Sequence, residues 1–591
     1  MARGKAAPGN LFHSNLAVHP QICKADLLLI VRAVRPLRLA RLRSWAMTLL
    51  IMTDRLIIAL AQLNPTVGGI DANLAKAKAE ITKLSGVDLV LFPELYIAGY
   101  PPEDLVLRPS FVAACKVAAE ELAQAFAQGP AILVGLPWRE GDKLHNAVAL
   151  LNGGKIETLR FKHDLPNYGV FDEKRVFQPG PAPGPISFKG VRLGVPICED
   201  IWLGETCETL AETGAEILLV PNGSPFERNK DDVRLNLVVA RVTETGLPLA
   251  YLNQVGGQDE LVFDGASFVL NADRSLALQM PMFEEAVVVT EWNRNASGWH
   301  CKKGEVARLP ENEEEAWKAC VLGLRDYVNK NRFPGVVLGM SGGIDSAVVA
   351  AMAVDALGKE RVHCVMLPYA YTSRDSLVDA EECAKALGVR YDVVPIKEPV
   401  EGFLSTLKPM FAGKNSDTTE ENVQSRSRGV ILMAISNKFG AMVLTTGNKS
   451  EMSVGYATLY GDMNGGFNPI KDIYKVEVYR LAEWRNTQGH VIPRRIITKA
   501  PTAELRKNQK DQDSLPPYEV LDDILEGLVE REEPVATIVA RGHDVALVKR
   551  IQHLLYVAEY KRRQSAPGVK ITRRNFGRDR RYPITNGWRD Q

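Results

Sequence analysis

The hydrophobic positions between residue 52 and about residue 290 alternate between short apolar runs and longer amphipathic stretches. The short runs are rich in leucine and β-branched residues, and they predict strands at 56–60, 87–92, 131–136, 191–197, 217–220 and 249–253. Between them, alanine and leucine recur at spacings of three and four in the stretches 72–84 and 112–127, which predicts helices. This alternation is typical of an α/β domain.

The second half repeats the alternation with a different set of turns. The pattern predicts strands at 335–338, 362–367, 390–394 and 441–445, and helices at 346–356, 376–387 and 423–439. Crossovers of this length favour a doubly wound parallel sheet that binds ligands at the carboxyl ends of its strands. A polar stretch and the acidic run 311–315 separate the halves, so we expect domains at 52–300 and 301–591.

Residues 1–51 lack such a pattern. They carry eight Lys or Arg residues and one acid, Asp26, with arginines spaced among leucines as in an amphipathic targeting segment. A predicted strand follows directly after Met52. We therefore expect 1–51 to be a poorly ordered leader or an extension upstream of the true start.

Composition narrows the class of protein. The chain is 46% hydrophobic and 24% charged, as in soluble globular proteins, and no run reaches the roughly 18 uncharged apolar residues of a membrane helix. Eight cysteines without a CxxC motif argue against a disulfide scaffold or a structural zinc site and favour a cytoplasmic protein. The 72 Lys and Arg residues balance 71 acids, but both chain ends are basic and the body is acidic.

A glycine-rich loop, SGGIDS, lies between a predicted strand and a predicted helix. Gly342 and Gly343 remove two Cβ atoms where a ligand approaches the backbone, and the helix N-terminus offers unpaired N–H groups to an anion. Ser341 and Ser346 add hydroxyl donors, while the carboxylate of Asp345 suits a phosphate site if Mg²⁺ lies between them. The loop lacks both the Walker ending GK[ST] and the spacing GxGxxG.

This loop resembles that of the ATP pyrophosphatases, which bind pyrophosphate as it leaves. Together with TTGNKSE, LYGDMNGGFNPIKDIYK and PTAELRKNQKDQDSLPPYEVLD, it resembles the synthetase half of the glutamine-dependent NAD synthetases. The resemblance implies an adenine nucleotide alpha hydrolase-like sheet, ATP as co-substrate, Mg²⁺ as cofactor and an adenylated intermediate.

The same resemblance implies which residues bind each ligand. ATP is implied at Gly339, Ser341, Gly342, Gly343, Asp345, Ser346, Thr446 and Lys475. Nicotinate adenine dinucleotide (deamido-NAD) is implied at Asn422, Arg426, Glu451, Lys561 and Arg563, and the metal at Asp345 and Glu451. We leave a later group of arginines as surface or subunit contacts: Arg573, Arg574, Arg578, Arg580 and Arg581.

Three segments of the first half, FPELYIAGYP, LRFKHDLPNYGVFDEKRVF and GVPICEDIW, lie at or just after predicted strands and are expected to converge. The thiol of Cys198 attacks a carboxamide only after losing its proton, and a partly buried Glu94 would accept that proton. Lys162 would stabilise the oxyanion, and the product would be a thioester and ammonia. His163 raises a papain-like alternative, but the papain signature is absent.

The order of Glu94, Lys162 and Cys198 resembles the nitrilase or carbon–nitrogen hydrolase superfamily in its glutaminase branch. The resemblance implies an α-β-β-α sandwich and glutamine binding by Tyr168, Ser224 and Lys230. Glu173 would be a second carboxylate that supports Lys162.

Together the two resemblances imply that glutamine supplies ammonia, which displaces AMP from an adenylated dinucleotide to give NAD⁺. We expect a homo-oligomer with no nucleic-acid or membrane partner. Two alternatives remain: an RNA-modifying enzyme whose basic tail binds phosphates, and an amidase half that is only a silent docking module. Phe576 and Tyr582 are the only aromatic residues that support the first alternative.

Overall fold

A computed structural model of the protein describes residues 53–589. The predicted leader at 1–51 lies outside the described residues. From Asp54 onward the chain forms one compact unit.

Nineteen strands lie within residues 53–589. Those of the first half are β1 Arg55–Gln62, β2 Leu89–Leu91, β3 Ala131–Glu140, β4 Lys143–Asn152, β5 Lys155–Phe161, β6 Ile186–Phe188, β7 Val191–Gly194, β8 Ile217–Asn222, β9 Leu249–Asn253, β10 Val255–Gln258, β11 Leu261–Asp264, β12 Phe268–Leu270, β13 Leu276–Gln279, β14 Ala286–Asn295 and β15 Gly298–Cys301. Those of the second half are β16 Val336–Gly339, β17 Val362–Met366, β18 Arg390–Val393 and β19 Met442–Leu444.

The helices divide in the same way. The first half contains α1 Ile70–Thr82, α2 Pro109–Ala125, α3 Gly204–Glu212 and α4 Lys230–Thr245. The second half contains α5 Asn312–Lys330, α6 Ile344–Leu357, α7 Arg374–Leu387, α8 Lys397–Leu407, α9 Thr418–Phe439, α10 Lys449–Val454, α11 Lys475–Thr487, α12 Arg494–Thr498, α13 Tyr518–Leu525, α14 Val535–Ala540, α15 Val545–Val557 and α16 Glu559–Arg562.

Two sheets form the centre of the first half. One has the strand order β15-β14-β1-β2-β3-β4-β5 and the other β13-β12-β9-β8-β7-β6. Their facing apolar side chains share one core, which includes Leu56, Ile58 and Leu60 from the first sheet, and Leu193 and Leu219 from the second. Helices α1 and α2 cover the outer face of the first sheet, and α3 and α4 cover that of the second. The result is the α-β-β-α sandwich that the resemblance implied.

The second half is built on a four-stranded sheet of order β18-β17-β16-β19. All three strand pairings in this sheet are parallel. Chain order reverses at β16, where the next strands in sequence run to one side and β19 to the other. Such a reversal opens a crevice at the carboxyl ends of the strands, and the SGGIDS loop follows β16 at that edge. The predicted doubly wound sheet is confirmed.

The predicted elements are found close to their expected positions. The strand predicted at 249–253 is β9, and the helix predicted at 376–387 is α7, which begins two residues earlier because Ser373 caps it. The sequence pattern missed the antiparallel strands β4 and β5, whose residues do not alternate cleanly in polarity. None of the helices within residues 53–589 is long and apolar enough to cross a membrane. The domain boundary near residue 300 stays a prediction.

Candidate active sites

A buried lysine between two carboxylates forms the centre of the first site. Lys162 Nζ lies 2.7 Å from Glu94 Oε1 and 2.9 Å from Glu173 Oε1. Glu94 follows β2, Lys162 follows β5, and Glu173 begins a short 3₁₀ turn. The Lys162 and Glu94 side chains are fully buried, so their attraction is little screened by water.

Glycine allows the Glu94 loop to lie against the sheet. A Cβ on Gly135 of β3 would lie 2.2 Å from the backbone nitrogen of Leu95, which is closer than any side chain allows. The backbone N–H of Gly223 donates to Glu94 Oε2 over 2.8 Å, so this end of the carboxylate is also held. The position of Glu94 is therefore fixed by the backbone on both sides.

Cys198 begins a 3₁₀ turn after β7 with a backbone φ of 46°, a left-handed conformation that is uncommon for a residue other than glycine. Asp200 holds this turn, because its Oδ2 accepts the N–H of Ile197 over 2.8 Å. Asp200 Oδ1 accepts the N–H groups of His163 and Asp164 at 2.9 and 2.7 Å. One carboxylate thus ties the cysteine turn to the loop that follows Lys162.

The electrostatics of the cluster keep the thiol neutral and the lysine charged. Burial raises the pKa of Cys198 well above its ordinary value, and Glu94 adds to the effect, while Lys162 and the N–H of Gly223 oppose it. Burial lowers the pKa of Lys162, but Glu173 and Glu94 outweigh it and raise that pKa well above its usual value. A protonated buried thiol needs a base to react, and Glu94 is the carboxylate that interacts with it most strongly.

The three residues implied for glutamine binding differ in their burial and in the groups that they contact. Ser224 is buried, and its hydroxyl accepts a hydrogen bond from Arg234 Nε at 3.1 Å. The hydroxyl of exposed Tyr168 donates to the carboxylate of Glu199, the neighbour of Cys198, at 3.0 Å. Lys230 starts α4, and burial lowers its pKa to about 8.

The second site surrounds the SGGIDS loop. Gly342 has a φ of +78°, and a Cβ there would lie 2.4 Å from the carbonyl oxygen of Ser376. The Ser341 backbone N–H donates to Ser346 Oγ over 3.2 Å, which closes the loop at the start of α6. The loop lines a cavity of about 290 Å³, as do Gly339, Thr446 and Lys475.

A lysine between two carboxylates recurs at this second site. Lys475 Nζ lies 2.5 Å from Asp345 Oδ2 and 3.1 Å from Glu451 Oε1. Burial raises the pKa of Glu451, with Asp345 adding to the effect and Lys475 opposing it. When Glu451 is ionised, the two carboxylates outnumber the single lysine, so a further cation would suit that state of the site. Asn448 Nδ2 donates to the other oxygen of Asp345 over 2.9 Å and holds it in place.

The residues implied for the dinucleotide lie together only in part. Lys561 interacts electrostatically with Asp462 and Arg426, and its Nζ donates to the carbonyl oxygen of Ala457 over 2.6 Å. Asn422 Oδ1 accepts the hydroxyl of Thr458 over 3.0 Å. Arg563 pairs with Glu559 at 3.2 Å. Of the five residues implied for the dinucleotide, Glu451 lines the cavity around the SGGIDS loop, whereas Asn422, Arg426, Lys561 and Arg563 lie outside its lining.

Several residues of the first site were missed by the sequence analysis. Asn146 contacts both carboxylates, and the Tyr100 hydroxyl donates to Glu173 Oε1 over 2.9 Å. Asp200 and Glu199 adjoin the cysteine but were not singled out. The signal that could have found Asn146 is a polar residue in a strand whose positions 144–151 are all buried. An unpaired amide there would be costly, so it needs a partner.

Comparison with known proteins matches a different family to each half of the chain. The carbon–nitrogen hydrolase family matches residues 57–298, and the NAD synthase family matches residues 316–565. A glutamine-dependent NAD(+) synthetase from Rhodobacter capsulatus is 54% identical over 551 residues, which cover 91% of this chain and all of that protein. One from Thermotoga maritima is 43% identical, covering 91% and 99% of the two chains.

Solved structures show the same overall arrangement. The glutamine-dependent NAD(+) synthetase of Acinetobacter baumannii, in complex with ADP, superposes with a TM-score of 0.73 at 44% identity and covers 91% of this chain and all of its own. The one from Cytophaga hutchinsonii has a TM-score of 0.77 at 23% identity, covers 90% and 98% of the two chains, and supports the fold.

Fold and sites together define a carbon–nitrogen hydrolase joined in one chain to a nucleotide-binding NAD synthase. The extent and identity of the matches then settle the family. The chain belongs to the glutamine-dependent NAD(+) synthetases.

Proposed function

We propose that ammonia released from glutamine at Cys198 amidates nicotinate adenine dinucleotide at the SGGIDS site, with ATP converted to AMP and pyrophosphate. The overall activity, glutamine-dependent synthesis of NAD⁺, is that of the family. The observation that carries the proposal is the ion-paired cluster of Glu94, Lys162 and Glu173, of which Glu94 and Lys162 interact electrostatically with the buried Cys198 thiol. Catalysis in each half is then assigned to residues of that half.

In the first half, Glu94 takes the proton of the Cys198 thiol as the sulfur attacks the carboxamide carbon of glutamine. The carbonyl oxygen becomes an oxyanion, which the ammonium group of Lys162 stabilises. Glu94 then returns the proton to the leaving nitrogen, and ammonia departs from a thioester. Water, activated by Glu94, hydrolyses the thioester to glutamate and restores the thiol.

Recognition of glutamine uses the groups around the thiol. Tyr168, Ser224 and Lys230 are proposed to bind the amino-acid head of glutamine. Lys230 supplies a cation for its carboxylate, and Glu199, next to Cys198, is available for its ammonium group. Arg234 donates to the hydroxyl oxygen and the carbonyl oxygen of Ser224 at 3.1 and 2.9 Å. Asp264, at 2.6 Å, pairs with the charge of Arg234.

In the second half, the nicotinate carboxylate attacks the α-phosphorus of ATP, and pyrophosphate leaves. Ser341, Ser346 and the first N–H groups of α6 bind the departing phosphates, while Lys475 neutralises charge in the transition state. Ammonia then attacks the carbonyl carbon of the adenylate, and AMP leaves. Asp345 and Glu451 would hold Mg²⁺, because two carboxylates plus phosphate oxygens suit its coordination. The metal would neutralise charge on those oxygens.

The dinucleotide is proposed to bind along α9 and the segment after α10. Asn422, Arg426, Glu451, Lys561 and Arg563 are its proposed contacts, and of these five Glu451 lines the cavity around the SGGIDS loop. We further propose that 52–300 and 301–591 act as the two catalytic domains, and that the protein works in the cytoplasm.

Self-association is proposed through the exposed apolar face of α8 and α9, with a second copy of the chain as the occupant. Phe403 of α8 and Val430 of α9 are 50% and 62% exposed there. Arg426 is exposed on the same helix, so the second copy would also enclose the proposed dinucleotide site. Light scattering on the Val430→Glu variant tests this: a shift toward monomer is expected, and unchanged mass would contradict it.

A single assay tests the proposed chemistry. Purified protein is given ATP, Mg²⁺ and nicotinate adenine dinucleotide with either glutamine or ammonium chloride, and NAD⁺ and AMP are quantified. Cys198→Ala should abolish NAD⁺ formation from glutamine and retain it from ammonia. Glutamine-driven synthesis by that variant, or ADP in place of AMP, would contradict the proposal.

A further inference from the structure

Asn146 lies where the charged residues of the first site meet. It stands on β4 opposite Pro137 of β3 and is 1% exposed. Its Nδ2 donates to Glu94 Oε1 over 2.7 Å and lies 3.4 Å from Glu173 Oε2. Its backbone carbonyl oxygen accepts the N–H of Lys162 over 2.8 Å. One residue therefore contacts all three members of the charged cluster.

The contacts fix which way the amide faces. A flipped amide would place its carbonyl oxygen against two carboxylates, which would repel it, so Nδ2 must face them. The remaining atom, Oδ1, is buried and accepts no hydrogen bond from residues 53–589. An unpaired buried carbonyl oxygen is unfavourable. The Asn146 side chain therefore uses Nδ2 to donate to the carboxylates, while its Oδ1 has no donor among the described residues.

We propose that Asn146 is a positioning residue that keeps the Glu94 carboxylate aimed at the Cys198 thiol. This rests on the proposed function of Glu94 as the base. Glu94 Oε1 receives hydrogen bonds from Lys162 and Asn146, and Oε2 receives one from the Gly223 N–H. Each of these donors therefore also orients the carboxylate.

The groups around Glu94 carry more negative than positive charge, so the neutral donor of Asn146 is important for this carboxylate. The titratable groups that face it are Lys162, Glu173, Cys198, Tyr100 and Glu199. Of these five, only Lys162 is a cation, and it is shared with Glu173. A carboxylate that loses a neutral donor in such surroundings takes up a proton more readily. Removal of the amide should therefore both misorient and neutralise the base.

The test is Asn146→Leu, which keeps the number and branching of the side-chain heavy atoms and removes the donor. Glutamate release should fall in kcat/KM by about 10- to 100-fold, as expected for losing one contact to a catalytic group. The acidic limb of its pH–rate profile should move to higher pH. NAD⁺ formation from ammonia should stay at the wild-type level. If the leucine variant does not fold, Asn146→Ala tests the same point with a smaller side chain that carries no donor.

A matched control is Asn271→Leu. Asn271 is a buried asparagine of the same half, whose Nδ2 donates to the carbonyl oxygen of Cys301 over 3.1 Å and, among the described residues, to no carboxylate. It should lose stability but keep the wild-type acidic limb. An Asn146→Leu profile that superposes on wild type would overturn the proposal. Failure of the proposed function is recognised separately, because Cys198→Ala would then still use glutamine.

Discussion

Replacing Lys162 with methionine removes a buried charge while keeping an unbranched side chain of similar length. In the protein, its ammonium group lies 2.7 Å from Glu94 and 2.9 Å from Glu173, and the three side chains are at most 7% exposed. Within residues 53–589, the variant leaves two buried carboxylates with only neutral donors: Asn146, Tyr100 and the Gly223 N–H. The folded state must then hold two like charges or bind a proton.

Removing one partner of a buried ion pair typically costs about 3–5 kcal/mol, a large share of a total stability of about 5–15 kcal/mol. For a unit of 150–250 residues this lowers the melting temperature by about 6–20 °C. Burial already raises the pKa of Glu173. A carboxyl whose pKa is raised by folding favours the folded state at low pH and loses that contribution as pH rises. The loss should therefore be larger at pH 8 than at pH 5.5.

The double variant Lys162→Met with Glu173→Gln isolates the electrostatic cause. It removes one negative charge from the cluster, so it should regain most of the lost melting temperature at pH 8. Glutamine hydrolysis should remain at least about 100-fold below wild type, because the oxyanion has lost its cation. Calorimetry at both pH values and a glutamate-release assay measure the two effects, and ammonia-driven NAD⁺ synthesis reports on the second half.

A double variant that melts no higher than the single variant at pH 8 would refute the claim that buried negative charge causes the destabilisation. The role of Lys162 at the oxyanion is refuted if the single variant hydrolyses glutamine at the wild-type rate. Equal destabilisation at both pH values would show that lost packing, and not buried charge, causes the effect.

Three further predictions concern the two sites. Burial lowers the pKa of Lys230 to about 8, so KM for glutamine should rise between pH 7 and about 9. Lys230→Arg should flatten that rise, whereas a flat wild-type profile would contradict the prediction. Gly342→Ala should abolish ATP binding by calorimetry but spare glutamine hydrolysis, because the new Cβ meets the Ser376 carbonyl; retained binding contradicts this. Asp345→Asn should raise the Mg²⁺ concentration for half-maximal NAD⁺ synthesis, and an unchanged requirement argues against this metal ligand.

Arginines of the basic C-terminal segment differ from the expectation that they form surface or subunit contacts. Arg580 was left as a surface or subunit contact, but it is 6% exposed and donates to Glu559 over 2.9 Å, so that expectation is wrong. Arg578 also makes its contacts inside the same molecule: it pairs with Glu103 and lies 3.8 Å from Glu260, and both of these acids belong to the first half. Its charge joins the two halves. A run of arginines gives no sign of which acids it will meet after folding.

The sequence by itself determined the two α/β halves, the phosphate loop and the order of Glu94, Lys162 and Cys198. These depend on local features: hydrophobic period, turn glycines and residues that follow strands. Glu173, in FDEKR, was offered beside the residues that the family resemblance implies, as a second carboxylate that supports Lys162.

Only the tertiary structure decided which neutral groups hold these charges in place. Asn146 lies 52 residues from Glu94 in sequence, Tyr100 lies 73 from Glu173, and the Gly223 N–H lies 129 from Glu94. The Asn146 contact depends on strand register, because a shift of one residue in β4 would turn its side chain to the opposite face. The Tyr100 and Gly223 contacts depend on how the loops after β2 and β8 pack. No local pattern records that register, so the donors around the base became visible only in the folded protein.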